Sequence, residues 1–570
     1  MKRFLITALV VAAGAAVFFA VTAGKRPAAA PALFLPEQVL LYLSHKNLVE
    51  MVEDMKNQPL GRAAGRIDLV RLALDVDIPL EKVELLRQIR DFASSPGAAL
   101  LFEELCSKKV ALALLKDDGA NDMKSYIHDN LVFFAEPKHA AALLETVAGL
   151  FIDDTVVAST QYGSHVIHRV PITQERILSF TVHEKLVIAA MEERTLRSLL
   201  DRHDEQQINL GENFFYTLFS TQFKKSQLFC YFSIQHIRRF LEDMLNPDRL
   251  PQKELLEHLQ NWNGFTAGGY GATVKDGYTM DTIFLHFNKH KLNEGTARFL
   301  EIHPQKNIHI ENIPGNSSLY YWTNTFDLKT MWRMYARESD MNESGKAEIE
   351  DAVSSITGTP FAEVLQIIDN TFHVIIGRPS PKDFVPLPNF VVMFHLRDTG
   401  KASSVMNNFL ENTRIPHRSH TYREFPFTYW GQQLQEGLQP VYTIHDDMLY
   451  MSSSVAIHRQ VIDAVIDGGG IVVNKSFKKN AATLLQDNNS TIFVQLQPLL
   501  TSLEDVAGWL QTMLSIQNRS TAYKSRKVIE NLILPVLDGL KMYSTLATRS
   551  YTGEGRIVIE SYRIRKEHHE

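Results

Sequence analysis

One order of elements runs through this chain twice, and that constrains its fold more than any other feature. Tyr442-Thr443-Ile444-His445-Asp446-Asp447-Met448-Leu449-Tyr450 reads as strand, tight polar turn, strand. Ser179-Phe180-Thr181-Val182-His183-Glu184-Lys185-Leu186-Val187-Ile188 reads the same way. In both a His and an acid open the turn, and a helix-like run follows.

The pass around each hairpin has the same sequence of parts. The first opens at Leu35-Pro36 and continues with a strand over 39–43 and a helix capped by Asn47. A pause at Gln58-Pro59-Leu60-Gly61 and helices over 67–74 and 79–93 follow. Strands over 109–115 and 131–134 come next, then an amphipathic helix over 138–151. The His183 hairpin, a helix over 193–203, a strand over 228–234 and a helix over 234–245 lead to closing strands over 264–274 and 278–287. The second pass opens at Ile313-Pro314 and repeats this order through strands over 319–322, 372–377 and 390–394. A helix with Ala402, Val405, Met406, Phe409 and Leu410 on one face precedes the His445 hairpin. A helix over 455–465, a strand over 491–494, a helix over 499–510 and strands over 539–546 and 556–564 complete it. A period of about 270 residues is a domain duplication rather than a solenoid. Strands joined by tight turns and interrupted by helices predict an α+β fold with mostly antiparallel sheet. The expected division is 33–288 and 312–564, with a connector over 289–311 holding a short helix near 292–302, and a polar tail over 565–570.

The chain has 570 residues, 45% of them hydrophobic, enough for large cores. A net charge of −6 without long charged blocks gives no support to nucleic-acid binding. Its two cysteines, Cys106 and Cys230, both lie in apolar runs. They read as buried free thiols, with one disulfide as the alternative.

Lys2 and Arg3 precede an uncharged, mostly apolar run over 4–24, stopped by Lys25 and Arg26. About 20 such residues can span a bilayer core as a helix. Two readings fit the segment 1–26: a signal peptide cleaved after Val21-Thr22-Ala23, or an uncleaved anchor. The run exceeds the roughly 7–15 residues of a signal core, which favours the anchor. Residues 27–32, rich in Pro and Ala, suit an extended tether. Both readings put the bulk of the chain outside the cytoplasm, most simply in a periplasm and tied to the inner membrane.

The motifs that suggest chemistry have simpler explanations. His445-Asp446-Asp447 looks like an acid/base or metal cluster, but its echo His183-Glu184-Lys185 replaces one acid by a base, so both read first as turns. Gly268-Gly269-Tyr270-Gly271 sits between strands, where a dinucleotide loop needs a strand and a helix; it reads as a bulge or a bent strand. Gly468-Gly469-Gly470 reads as a helix end. His286, His290, His303 and His309 form a loose group around the connector, without the paired spacing of a metal site, and read as solvated. No nucleophile elbow, zinc-protease helix or phosphate loop is present in the sequence. No catalytic, cofactor or metal residue is therefore assigned. Tyr429 and Trp430, in a stretch rich in Pro and Gln, read as an exposed loop suited to a partner.

Leu35-Pro36, Tyr42, Asn47-Leu48 and Pro59-Leu60-Gly61 together resemble the opening of a family of bacterial extracytoplasmic proteins containing a domain of unknown function. Members carry an N-terminal anchor, a Leu-Pro…Tyr strand and a helix ending near Pro-Leu-Gly. The resemblance implies an envelope location and supplies no activity. Three functions follow as expectations: a non-enzymatic, membrane-tethered periplasmic protein that binds a partner protein or envelope component; a carrier for a lipid or other apolar ligand; or a hydrolase whose residues converge only in space.

Overall fold

The computed structural model describes residues 30–566 except 117–121, 139–157, 174–175, 246–249, 276, 340, 380–385, 431–438, 479–480 and 518. The 1–26 segment and the helix expected over 138–151 (but for its first residue) fall outside the described residues. Two compact units result: residues up to Lys275 with Met280–Asn293, and Asp276–Thr279 with the residues from Glu294 on. Each combines helices with antiparallel strands, an α+β arrangement. The division falls inside the predicted connector, whose helix Glu294–Glu301 belongs to the second unit.

In unit 1 the strands are β1 (Val39–His45), β2 (Val110–Leu115), β3 (Leu131–Ala135), β4 (Ala158–Tyr162), β5 (His165–Thr173), β6 (Arg176–His183), β7 (Leu186–Ala190), β8 (Leu228–Phe232), β9 (Phe265–Lys275) and β10 (Tyr278–Phe287). Their order across the sheet is β4-β5-β6-β7-β3-β2-β1-β8-β9-β10. β1 is central: Tyr42 pairs with Ala113 on one side and Tyr231 on the other. Val39, Leu40 and Tyr42 of β1 are buried, with a shift of register between Val39 and Leu41. The main core joins Phe34, Tyr42, Phe134 and Ile188 to Leu196, Leu199 and Leu200 of the helix Glu193–Asp204 and to Phe219 of the helix Phe214–Gln222.

Between β1 and β2 lie five short helices. Asn47 caps the first, Leu48–Asn57, by accepting from the Glu50 N–H. The predicted pause at Pro59 is instead a helix start: Pro59 opens Pro59–Arg66, where its missing N–H costs nothing. The run before β2 ends a further helix, Pro96–Cys106, capped by Ser95.

In unit 2 the strands are β11 (Leu319–Thr323), β12 (Ile368–Ile376), β13 (Phe390–Leu396), β14 (His417–Tyr422), β15 (Phe425–Trp430), β16 (Val441–His445), β17 (Met448–Ser452), β18 (Ser490–Gln495), β19 (Tyr543–Gly553) and β20 (Arg556–Arg565). Their order is β14-β15-β16-β17-β13-β12-β11-β18-β19-β20, the order found in unit 1. One core gathers Tyr320, Trp322, Ile375, Met393, Ile457, Val461 and Phe493. A second packs Leu396, Tyr442 and Leu449 against Ala402 and Leu410 of the helix Thr399–Asn412.

The glycine run of β9 is not a bulge in its pairing with β8, whose register runs unbroken from Leu228↔Ala272 to Phe232↔Gly268. Its glycines instead clear space for aromatic rings. A Cβ at Gly269 would lie 2.6 Å from the Phe219 ring, and those at Gly268 and Gly271 would collide with Phe232 and Phe223. Gly468 and Gly469 end the helix Val455–Asp467 with φ of 66° and 77°, backbone that favours glycine.

Candidate functional site

The two His-led hairpins are two-residue turns. His183 pairs with Leu186 across Glu184 and Lys185, whose φ values are 46° and 78°. His445 pairs with Met448 across Asp446 and Asp447, with Asp446 at φ 50°. Such left-handed backbone matches the twist of the flanking strands. Asp446 is exposed, its carboxylate 3.4 Å from the His445 Nε2.

In unit 1 the hairpin histidine enters a cluster of rings. His183 lies 5.3 Å from Phe34, 5.5 Å from His165 and 4.7 Å from His203, centroid to centroid. Phe34 stacks on His203 at 4.2 Å, and the His165 Nε2 is 2.9 Å from the Asp204 carboxylate. Burial, followed by the neighbouring His203 and His165, holds the His183 pKa below its ordinary value.

Unit 2 does something different at the same turn. His445 packs on Phe425 at 4.1 Å, while Asp447, the second turn residue, reaches back along the sheet. Its Oδ2 is 2.9 Å from Nε2 of His395, near the end of β13. The other nitrogen of His395 is 3.4 Å from Asp369, which Arg397 holds through Nη2 at 2.9 Å. His309 completes the group: ligand atoms of His309, His395 and Asp447 all lie within 4.8 Å of one another. Behind them His373, in β12, is fully buried and stands 5.9 Å from the His309 ring. Its Nδ1 is 3.0 Å from the Tyr320 hydroxyl, to which Asn307 donates; its Nε2 has no partner among the described residues. Burial first, then the nearby histidines, pushes the His373 pKa well down, and burial lowers that of His309.

The sequence places His309 in a solvated linker; the structure packs it against His373 and His395, because Ile310 and Ile313, which follow it, bury into the unit 2 core. His286 lies in β10 with its Nδ1 3.1 Å from the Thr266 hydroxyl. His290 and His303 are exposed.

Tyr429 and Trp430 are not in an exposed loop. Both belong to β15 and are half-buried, Trp430 against Tyr442 at 5.8 Å and Tyr429 bonded through its hydroxyl to His420. Alternation in a strand buries part of each ring, which composition alone did not indicate. Cys106 and Cys230 are free, and burial raises their thiols to about 12 and about 11. That makes them poor nucleophiles.

A further arrangement occurs in both units. The Tyr162 hydroxyl, at the end of β4, donates to Asp201 on the helix after β7, with Arg197 over its ring at 4.5 Å. The Tyr422 hydroxyl, at the end of β14, donates to Asp463 on the helix Val455–Asp467, with Arg459 over its ring at 5.1 Å. In each helix the Arg and the Asp are four residues apart, so both face the same tyrosine.

No family model and no curated protein matches the chain. Solved structures of the protein TP0453 align with part of it. Crystal form I aligns at 12% identity over 50% of this chain and 90% of that one, with a TM-score of 0.25. Crystal form III gives 13% identity, 50% and 91% coverage and a TM-score of 0.24. Likeness at that level carries no structural or functional argument.

Proposed function

We propose that this chain is a membrane-anchored periplasmic protein, made by duplication of one α+β module, that binds a partner protein through the helices between its first two strands. The matching strand orders and the repeated Tyr–Asp–Arg arrangement support duplication. The apolar run over 4–24 supports the anchor; among the described residues no helix is long and apolar enough to cross a membrane, and that run lies outside them.

The observation that carries the binding role is methionine on an open helix face in both units. Helix Leu328–Glu338 exposes Met331, Met334 and Tyr335, at 51%, 53% and 56%. Residues at i, i+3 and i+4 share a face, so these form one apolar stripe. The helix at the corresponding place in unit 1, Leu48–Asn57, exposes Met51 and Met55 one turn apart. Methionine's flexible thioether suits surfaces that adapt to a partner. An open unit 1 cleft of about 640 Å³ is lined by Glu193, Arg194, Arg197, Asp201, Arg202 and Glu205, a lining ill-suited to a lipid tail.

Photo-cross-linking in intact cells tests this reading. A photoreactive side chain at Tyr335 is expected to give a discrete adduct in the membrane fraction, lost on Met331→Asp with Met334→Asp. The same probe at exposed Glu348 should give none. Equal labelling from both positions, or none from Tyr335, would remove the basis for the proposal.

A further inference from the structure

We propose that His309, His395 and Asp447 bind one divalent transition-metal ion of the zinc type, at the strand ends of the unit 2 sheet. The site is independent of the partner-binding reading.

Three stretches far apart in sequence bring these side chains together: the turn before Ile310, the end of β13 and the tip of the β16–β17 hairpin. Their ligand atoms already lie within 4.8 Å of one another. Zinc at roughly 2.0–2.2 Å from nitrogen and oxygen therefore needs only small side-chain movements to be reached by all three. Two imidazoles and a carboxylate, with a coordination position left open, is a donor set zinc uses.

The surroundings point to a ligand as well. Metal-bound histidines usually give their second nitrogen to a carboxylate or another polar group, which fixes the ring. Asp369, steadied by Arg397, stands 3.4 Å from the His395 Nδ1 in that role. Two buried nitrogens of this cluster, the His395 Nδ1 and the His373 Nε2, lack a hydrogen bond among the described residues. Two unpartnered buried polar atoms in one cluster call for an occupant. An ion on His395 Nε2 releases that ring from Asp447 so that Nδ1–H can turn to Asp369. A water on the ion's open position would give the His373 Nε2 its partner. His373 is thus a positioning residue rather than a ligand. Asp447 is half-exposed, so an ion can enter from solvent.

Unit 1 supplies an internal control. By strand register, Glu136 stands where His395 does, Lys185 where Asp447 does and Ala111 where His373 does. A lysine in place of the carboxylate repels a cation, so the equivalent place in unit 1 should bind none; His128, Asp129 and Glu192 form a separate close group in unit 1, so the ligand variants and not the stoichiometry identify the site.

The test uses the full chain, stripped with a chelator and titrated with Zn²⁺ by calorimetry and with Co²⁺ by visible absorption. Saturable Zn²⁺ binding and a Co²⁺ ligand-field band, both dependent on His395 and Asp447, are expected. Asp447→Asn and His395→Gln should each weaken binding at least tenfold, while His290→Gln, at an exposed histidine, should leave it unchanged. Asp447→Asn alters only a half-exposed turn residue, so circular dichroism matching that of the wild type will show that any loss is not unfolding. No saturable binding and no cobalt band in the wild-type chain would overturn the assignment. So would binding undiminished in both variants, which would mark the ion as adventitious.

Discussion

Units 1 and 2 run their strands in the same order, yet differ in what the core under the hairpin contains. At the fourth position of the helix after the hairpin, unit 1 has Leu196 and unit 2 has His458; both are buried. Leu196 joins the aliphatic core. His458 is bonded on both sides, Nε2 to the Thr443 hydroxyl and Nδ1 to the Ser452 hydroxyl, each at 2.8 Å. One backbone arrangement thus accepts an apolar or a polar solution at one place, provided every buried polar atom of the polar one is paired. The hairpin tips differ in the same spirit: ring packing in unit 1, a carboxylate–imidazole group in unit 2.

The sharpest way to break this comparison is at His458. Replacing it with Ala leaves a cavity and takes a partner from two hydroxyls, of which that of Thr443 keeps the Pro426 carbonyl, at a cost of about 2–5 kcal/mol. His458→Leu installs the unit 1 residue and should be milder, because it refills the volume. The two also differ in pH response. Burial lowers the His458 pKa to about 3, against an ordinary value of 6.5. The folded state therefore binds fewer protons than the unfolded state between those values. Stability from this group is complete above about pH 6.5 and is lost as pH falls towards 3. His458→Leu should flatten the fall by up to about 1.4 kcal/mol per pH unit in that window. Tryptophan fluorescence during urea unfolding reads this mainly from unit 2, which holds Trp322, Trp332, Trp430 and Trp509. An unchanged pH slope would mean that His458 is not the acid-sensitive group.

A smaller effect is expected where β9 and β19 differ. Gly269 pairs with Tyr231 and Ala547 pairs with Phe493, at corresponding register positions. Unit 1 needs glycine there because the Phe219 ring lies over the strand, whereas unit 2 buries a methyl group at the same point. Gly269→Ala should destabilise unit 1 by about 1–3 kcal/mol through overpacking. Ala547→Gly should cost unit 2 about 0.5–1 kcal/mol through added chain freedom. Hydrogen exchange resolved by segment would separate the two, and equal costs would contradict the packing account.

These differences also mark what sequence alone can convey. Strands with alternating burial, such as β1 and β11, and hairpins with polar tips were legible because their pattern is local. The helix Phe214–Gln222 was not, because its aromatic residues favour strands; Asn213, which accepts from the Tyr216 N–H, was the available signal. β19 was expected to start at Gly539, but that glycine lies in the helix Leu534–Leu540, and the strand runs on to Gly553. Its polar half escaped notice because it is stabilised across the hairpin, by Arg549 on Glu560 at 2.7 Å. The cluster of His309, His395 and Asp447 has no sequence spacing to read. It exists because β13 pairs with β17 and the His309 turn packs against His395 and His373. The one hint was an acid at the second turn position of a His-led hairpin.

The smallest expected effect tests what the units share. Tyr162→Phe and Tyr422→Phe each remove one hydroxyl that donates to a helix carboxylate and leave the Arg–ring contact in place. Because both sites are open to water, each should cost little stability. Arg423 complicates the second site: it binds Asp463 at 2.9 Å and also reaches Asp467, so part of that link survives without the tyrosine. Unit 1 has Gly163 at the place of Arg423 and no such reserve. Tyr162→Phe should therefore be the more costly of the two, measured by hydrogen exchange in the helices Glu193–Asp204 and Val455–Asp467. If Tyr422→Phe loosens its helix more, the tyrosine, and not the arginine beside it, holds the unit 2 helix to its hairpin.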